Sequence, residues 1–224
     1  MKLHYHPVST TSRMVVWFAR EQGIDLDLQI VDLFTGEHLG ETYAAVNPNR
    51  LVPVLDDGDF RLTESSAILK YLADQSNSPA YPRDVKSRAR VNERMDWFNA
   101  NLYRDFGYGF LYPQVFPHHR RETDALQAGT IAWADGKTRG WLSILDKHLL
   151  GTDNAFLCGG DITIADYFGF ALTSAGELIH CDFAQWPHVA RWLAAMKARP
   201  STKAVYEVFD GFVASTKEAA FERV

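Results

Sequence analysis

A polar, proline-bearing segment, Ser76-Asn77-Ser78-Pro79-Ala80-Tyr81-Pro82, separates two stretches of this chain that differ in hydrophobic period. Before it, strand and helix patterns take turns. Leu3 and Tyr5 alternate with His4 and His6 as a short strand stopped by Pro7. Ser9 to Ser12 supply capping hydroxyls ahead of Val15, Phe18 and Ala19, which share one helical face, and Gly23 stands where such a helix closes. Leu26 to Ile30 alternates again, and a polar loop with Gly36 and Gly40 follows. Leu51 to Leu55 reads as a third strand, which Asp57-Gly58-Asp59 turns into Phe60-Arg61-Leu62. Ser65 begins a helix with Ile68, Leu69 and Leu72 on one side. After the polar segment every pattern is helical: Val91, Met95, Phe98 and Leu102, then Leu142, Leu145 and Leu149, then Val189, Trp192, Leu193 and Met196 between Pro187 and Pro200. These patterns predict an α/β domain over 1–76, a linker over 77–84 and an all-helical domain over 85–224.

Composition narrows the partners. With 28 acidic and 23 basic residues the net charge is −5, which argues against nucleic acid, since phosphate binding leaves a basic footprint. No apolar run approaches the roughly 18–20 residues of a membrane span, and Met1 to Pro7 lacks the apolar segment of a secretory leader. Two cysteines, Cys158 and Cys181, are too few for a disulfide framework and suit a reducing cytoplasm. His4 with His6 and His118 with His119 have no zinc-like spacing, so no metal is expected.

Four groups in the first half carry the chemistry: Ser9-Thr10-Thr11-Ser12-Arg13, His38, Val52-Pro53, and Glu64-Ser65. Singly, each has an ordinary explanation as helix cap, edge strand or helix start. Jointly they point to one ligand. Two helix N-termini, after Ser9–Ser12 and at Ser65, offer free N–H groups and a positive dipole end, which favour a carboxylate or a thiolate. A proline after Val52 that adopts the cis form exposes the preceding backbone for pairing with an extended peptide. Glu64 offers a counter-charge for an amine. The implied ligand is a short peptide bearing a carboxylate, an amine and a thiol.

In order and spacing, four strings resemble the glutathione transferases, in particular the theta type and its bacterial and insect relatives. They are Ser9-Thr10-Thr11-Ser12-Arg13, Val31 to Leu39, Val46 to Leu55, and Asp57 to Leu72. Gly159-Gly160-Asp161-Ile162-Thr163-Ile164-Ala165-Asp166 resembles the folding motif of the family's helical domain, and Thr163-x-x-Asp166 is a capping-box variant. The resemblance implies a thioredoxin-like domain followed by a helical bundle, a cytoplasmic detoxification enzyme, and a homodimer. Ser9 would donate a hydrogen bond to the glutathione sulfur, with Ser12 as the alternative hydroxyl. Val52, ahead of Pro53, would pair with the cysteinyl backbone, Glu64 and Ser65 would bind the γ-glutamyl end, and His38 would reach the glycyl end. Many members have a lysine just before the strand proline; here Leu51 stands there, and Arg50 becomes the candidate for the glycyl carboxylate.

Leu102 to Pro113 packs five aromatics around Gly107 and Gly109. It reads either as helix core with a kink or as an aromatic wall for a hydrophobic electrophile, and its position matches the family's substrate-lining helix. Tyr103, Arg104, Tyr108 and Tyr112 are the residues expected there, with Phe209 and Phe212 as a lid. The implied activity is conjugation of glutathione to such an electrophile. The alternatives are glutathione-dependent dehalogenation or ether cleavage, or a non-catalytic glutathione-binding or assembly module. A thiol–disulfide oxidoreductase is disfavoured because no cysteine stands among Ser9 to Ser12.

Overall fold

The computed structural model describes residues 1–224. The chain begins with β1 (Lys2–Tyr5), α1 (Thr10–Glu21), β2 (Asp27–Ile30), α2 (Glu41–Ala44), β3 (Val54–Asp57), β4 (Phe60–Thr63) and α3 (Ser65–Gln75). The strands form one sheet in the order β2-β1-β3-β4, parallel between β1 and β2 and antiparallel elsewhere. This is the expected thioredoxin-like arrangement. Helix α1 starts at Ser9, whose hydroxyl oxygen accepts the Ser12 N–H at 3.2 Å. It ends at Gly23, whose φ of +66° lets the Ile24 N–H bond back to the Ala19 carbonyl at 2.9 Å.

Two strands differ from expectation. The ladder of β3 begins at Val54 rather than Leu51, because Pro53 has no N–H to contribute; the Val52–Pro53 bond is cis. Strand β2 lies at the sheet edge with all four residues exposed, so the alternation over Leu26 to Ile30 reports the pleat and not a buried face.

The rest of the chain is helical: α4 (Val85–Trp97), α5 (Tyr112–Val115), α6 (Asp124–Ile144), α7 (Ile164–Ser174), α8 (Pro187–Lys197) and α9 (Thr202–Ser215). Between α4 and α5 the helix continues through Phe98–Leu111 in a wide, i→i+5 bonded form. A single core of 47 buried residues runs from Leu3, Met14 and Trp17 through Ile68 and Leu72 to Phe98, Tyr167, Trp192 and Phe209, crossing from the sheet domain into the helical one. Phe209 is fully buried in that core and is not a lid. Phe212 stacks on Phe116 with centroids 6.2 Å apart and meets Phe34 edge-on at 5.8 Å, behind the cavity wall described below.

Helix α7 is buried along its whole length, and Asp166 secures its start. This carboxylate accepts the Leu157 N–H at 2.9 Å, the Thr163 N–H at 2.8 Å and hydroxyl at 3.0 Å, and the Trp192 indole N–H at 3.0 Å. The capping box read from Thr163 and Asp166 is present. Asp166→Ala strands these donors in a dry core and removes the cap, so it should cost about 3 kcal/mol or more in a urea unfolding curve. A loss below about 1 kcal/mol would show that the box is dispensable.

Candidate functional site

Two adjoining cavities lie where the sheet domain meets the helical domain. The first, about 340 Å³, is lined by Thr11, Leu51, Val52, Pro53, Glu64, Ser65 and Ser66 from one side and by Asn99, Tyr103, Arg104 and Tyr108 from the other. Glu64 precedes α3 with φ +67° and ψ 112°, a conformation that costs a non-glycine residue on the order of 1–3 kcal/mol. Its side chain makes no capping bond, so the first-turn N–H groups of α3 remain available to an anion at the cavity wall. Val52 is presented by a fixed loop: the Tyr43 hydroxyl donates to the Leu51 carbonyl at 2.9 Å and the Asn47 amide donates to it at 2.7 Å. Burial pushes the Tyr43 phenol up to about 12, so it remains a donor. The Val52 carbonyl accepts the Thr11 hydroxyl at 3.0 Å.

The second cavity, about 190 Å³, is lined by Ser9, Thr10, Thr11, His6, His38 and Arg50 opposite Tyr103, Tyr108, Tyr112, Phe116, His118 and His119. Ser9 Oγ stands 3.2 Å from Thr11 Oγ1. Since the Thr11 proton is committed to Val52, the Ser9 hydroxyl is the donor of that pair and can turn its proton to a ligand. Ser12 is fully buried, its Oγ has no partner, and it lines neither cavity. His38 Nδ1 is likewise enclosed without a partner, beside the cavity. Arg50 pairs with the exposed Glu41 at 2.7 Å. The Val8 N–H donates to His6 Nδ1 at 3.2 Å, fixing the turn that delivers Ser9.

The wide helical segment supplies the opposite wall. Tyr103 and Tyr112 share a hydrogen bond of 2.8 Å between their hydroxyls, and Tyr112 donates on to Thr10 at 3.3 Å, a polar tie between the two domains. Burial, with Tyr112 and Tyr108 alongside, pushes the Tyr103 phenol well above its ordinary value, so it stays protonated. Gly107 is what lets the Tyr103 ring lie on the helix: a Cβ there would sit 2.6 Å from Cδ2 of the ring. Tyr108 and Tyr112 meet edge-on at 5.1 Å, and His119 packs on both. Arg104 belongs to the Glu64–Ser65 cavity and does not line the one holding Ser9. Its Nε and Nη2 are bound to the buried Asp105 at 2.7 and 2.8 Å, and that carboxylate also accepts the Trp141 indole N–H at 2.7 Å. The sequence expectation passed over Thr10, Thr11, Asn99, His118 and His119 as lining residues. Only the Thr pair carried a signal, as hydroxyls beside Ser9.

Family models for the glutathione S-transferase N-terminal domain and C-terminal domain match residues 8–75 and 114–200. Human glutathione S-transferase theta-1 is 36% identical over 208 residues, which are 88% of this chain and 82% of the human one. The chain belongs to the glutathione S-transferase family. Among solved structures, human glutathione transferase theta-2 in complex with glutathione and an unknown ligand superposes with a TM-score of 0.84 at 30% identity, over 100% of this chain and 93% of that one. A delta-class glutathione transferase of Nilaparvata lugens gives 0.79 at 34% identity, over 96% and 98%.

Within this transferase, no helix is long and apolar enough to cross a membrane. No group of three or more His, Cys, Asp or Glu side chains is placed to hold a metal ion. The cavity histidines are tuned instead by burial. Burial lowers the pKa of His119, with His118 and Arg121 adding to the effect. Burial also lowers that of His6, against the opposing pull of Asp32. Both rings are therefore neutral in the fold at pH 7. The unfolded chain takes up their protons first, around its ordinary value near 6.5, so stability is full above that pH and falls as pH drops below it. A melting temperature that declines between pH 7.5 and 5.5, with a shallower decline in His119→Gln, is the expected result; an unchanged slope in the variant would remove His119 from this account.

Proposed function

We propose that the chain joins the glutathione sulfur to a hydrophobic electrophile, with the Ser9 hydroxyl stabilising the thiolate. The observation that carries this reading is the position of Ser9. It lines the second cavity opposite the tyrosine wall, next to the cavity that holds the strained, uncapped start of α3, while its rival Ser12 is sealed in the core.

Glutathione would lie across both cavities. Its γ-glutamyl carboxylate meets the open N–H groups of Ser65 and Ser66, and its amine meets Glu64. The Val52 N–H pairs with the cysteinyl backbone, and the glycyl carboxylate reaches His38 and Arg50. In that pose the sulfur comes to Ser9. A thiol with a pKa near 8.5 is mostly protonated at neutral pH, and a donated hydrogen bond at a helix N-terminus shifts it toward the reactive anion. Ser9 is held for this by the Ser12 N–H, with its own proton free to swing from Thr11 to sulfur. Tyr103, Tyr108 and Tyr112, with Phe116 and His119, form the surface against which a flat, apolar electrophile stacks.

Ultraviolet titration of the bound thiolate tests this reading. Wild type should lower the pKa of bound glutathione below that of the free thiol. Ser9→Ala should return it most of the way and lower kcat/KM for an aromatic electrophile by about 10²-fold, with glutathione affinity changed only a few-fold. Equal thiol pKa values in the two proteins would reject Ser9 as the activator.

A further inference from the structure

One positively charged side chain in the molecule is buried without a counter-ion. Arg13 is 1% exposed, and no carboxylate lies within ion-pair distance of it. Its Nη1 donates to the Val8 carbonyl at 2.5 Å, while Nε and Nη2 have no acceptor. The guanidinium lies over the Phe209 ring at 3.7 Å from its centroid and near the Tyr206 ring at 4.9 Å. Aromatic faces offset part of the desolvation of a cation, but an apolar side chain of the same length would fill this space without that cost.

The location suggests what the charge does. Arg13 sits in the first turn of α1, its backbone N–H bonded to the Ser9 carbonyl at 3.1 Å. Val8 and Tyr112 both line the Ser9 cavity. The guanidinium is tied to the first and lies near the second, whose phenol burial holds above its ordinary value, the hydrogen bonds of Thr10 and Tyr103 and the charge of Arg13 opposing that rise. The other charged groups around it are Glu177, which is paired with Lys197 at 2.7 Å, and Asp210 on α9. A buried charge is poorly screened by salt, and here it adds to the positive end of the α1 dipole.

We propose that Arg13 is a fixed, buried positive charge that stabilises the glutathione thiolate at Ser9 through space, as a positioning residue that never touches the substrate. This rests on the reading of the Ser9 cavity as the thiol site. No bond is made or broken by Arg13; it changes only the balance between thiol and thiolate.

Arg13→Met keeps the packing and removes the charge; Arg13→Gln is the second neutral variant, should Met fail to fold. Either should raise the bound-thiol pKa by roughly half to one unit, while glutathione affinity at a pH well below that pKa stays within a few-fold of wild type. Arg13→Lys, which retains a cation, should recover most of the shift. A neutral variant with lower melting temperature but unchanged thiol pKa would make Arg13 purely structural and overturn the proposal. Arg13→Lys behaving like Arg13→Met would do the same. Ser9→Ala run in parallel separates the two readings. A shift with the Arg13 variants alone rejects the role of Ser9 and keeps this one, a shift with Ser9→Ala alone rejects this one, and an unperturbed thiol in wild type rejects both.

Discussion

Helix α1 is buried over most of its surface, and that constraint organises the molecule. Eight of its twelve residues are buried, and they include both large aromatics, Trp17 and Phe18. Sheet and α3 cover one side; α7 and α9 cover the other, so that the two domains share one core across this helix. Each buried aromatic contributes on the order of 1.5–3 kcal/mol through area alone. Polar contacts then fix the helix at its far end. Burial raises the pKa of Glu21, but the Arg199 ion pair and the Ser201 and Tyr167 hydroxyls more than reverse that and keep it ionised. The Trp17 indole N–H donates to the same carboxylate at 2.9 Å. With its C-terminal end anchored to the helical domain, α1 can present Ser9 at a set depth between the two cavities.

Several unsatisfied groups of the structure lie around that point. Glu64 holds a costly backbone angle, α3 lacks a side-chain cap, His38 Nδ1 lacks a partner, and Arg13 lacks a counter-ion. At Asp166, by contrast, one carboxylate takes four donors. Several local rules broken near one point are the pattern of a binding site paid for by the rest of the fold. The broken rules also have a common sense: free N–H groups and an uncompensated cation attract negative charge, and glutathione brings two carboxylates and a thiol that becomes an anion.

Much of this was legible in the sequence because it is local. Ser9 and Ser65 mark helix starts, Gly23 marks a helix end, and Thr163 with Asp166 spells a capping box within four residues. The helical stripes of the second half are equally local, and Val91, Met95, Phe98 and Leu102 are all fully buried. What was missed depends on distant pairings. Phe209 looked like a lid because an aromatic near the C-terminus suits one, yet it lies against the Arg13 guanidinium, fully buried in the core. Ser12 stood as the alternative hydroxyl to Ser9, and only the helix rotation buries it while Ser9, half-buried, lines the cavity. Arg104 went to the neighbouring cavity because Asp105 and Trp141 fix its guanidinium, a triad that joins two separate helices. His118 and His119 entered the wall through a short turn after α5 that has no periodic signal.

The central claim is that glutathione binds across both cavities with its sulfur at Ser9, and a crystal structure of the complex tests it most directly. The account predicts the sulfur within hydrogen-bond distance of Ser9 Oγ, the γ-glutamyl carboxylate on the Ser65 and Ser66 N–H groups, and Ser12 still enclosed. A sulfur lying away from Ser9, or a γ-glutamyl end that leaves the start of α3 empty, would contradict it.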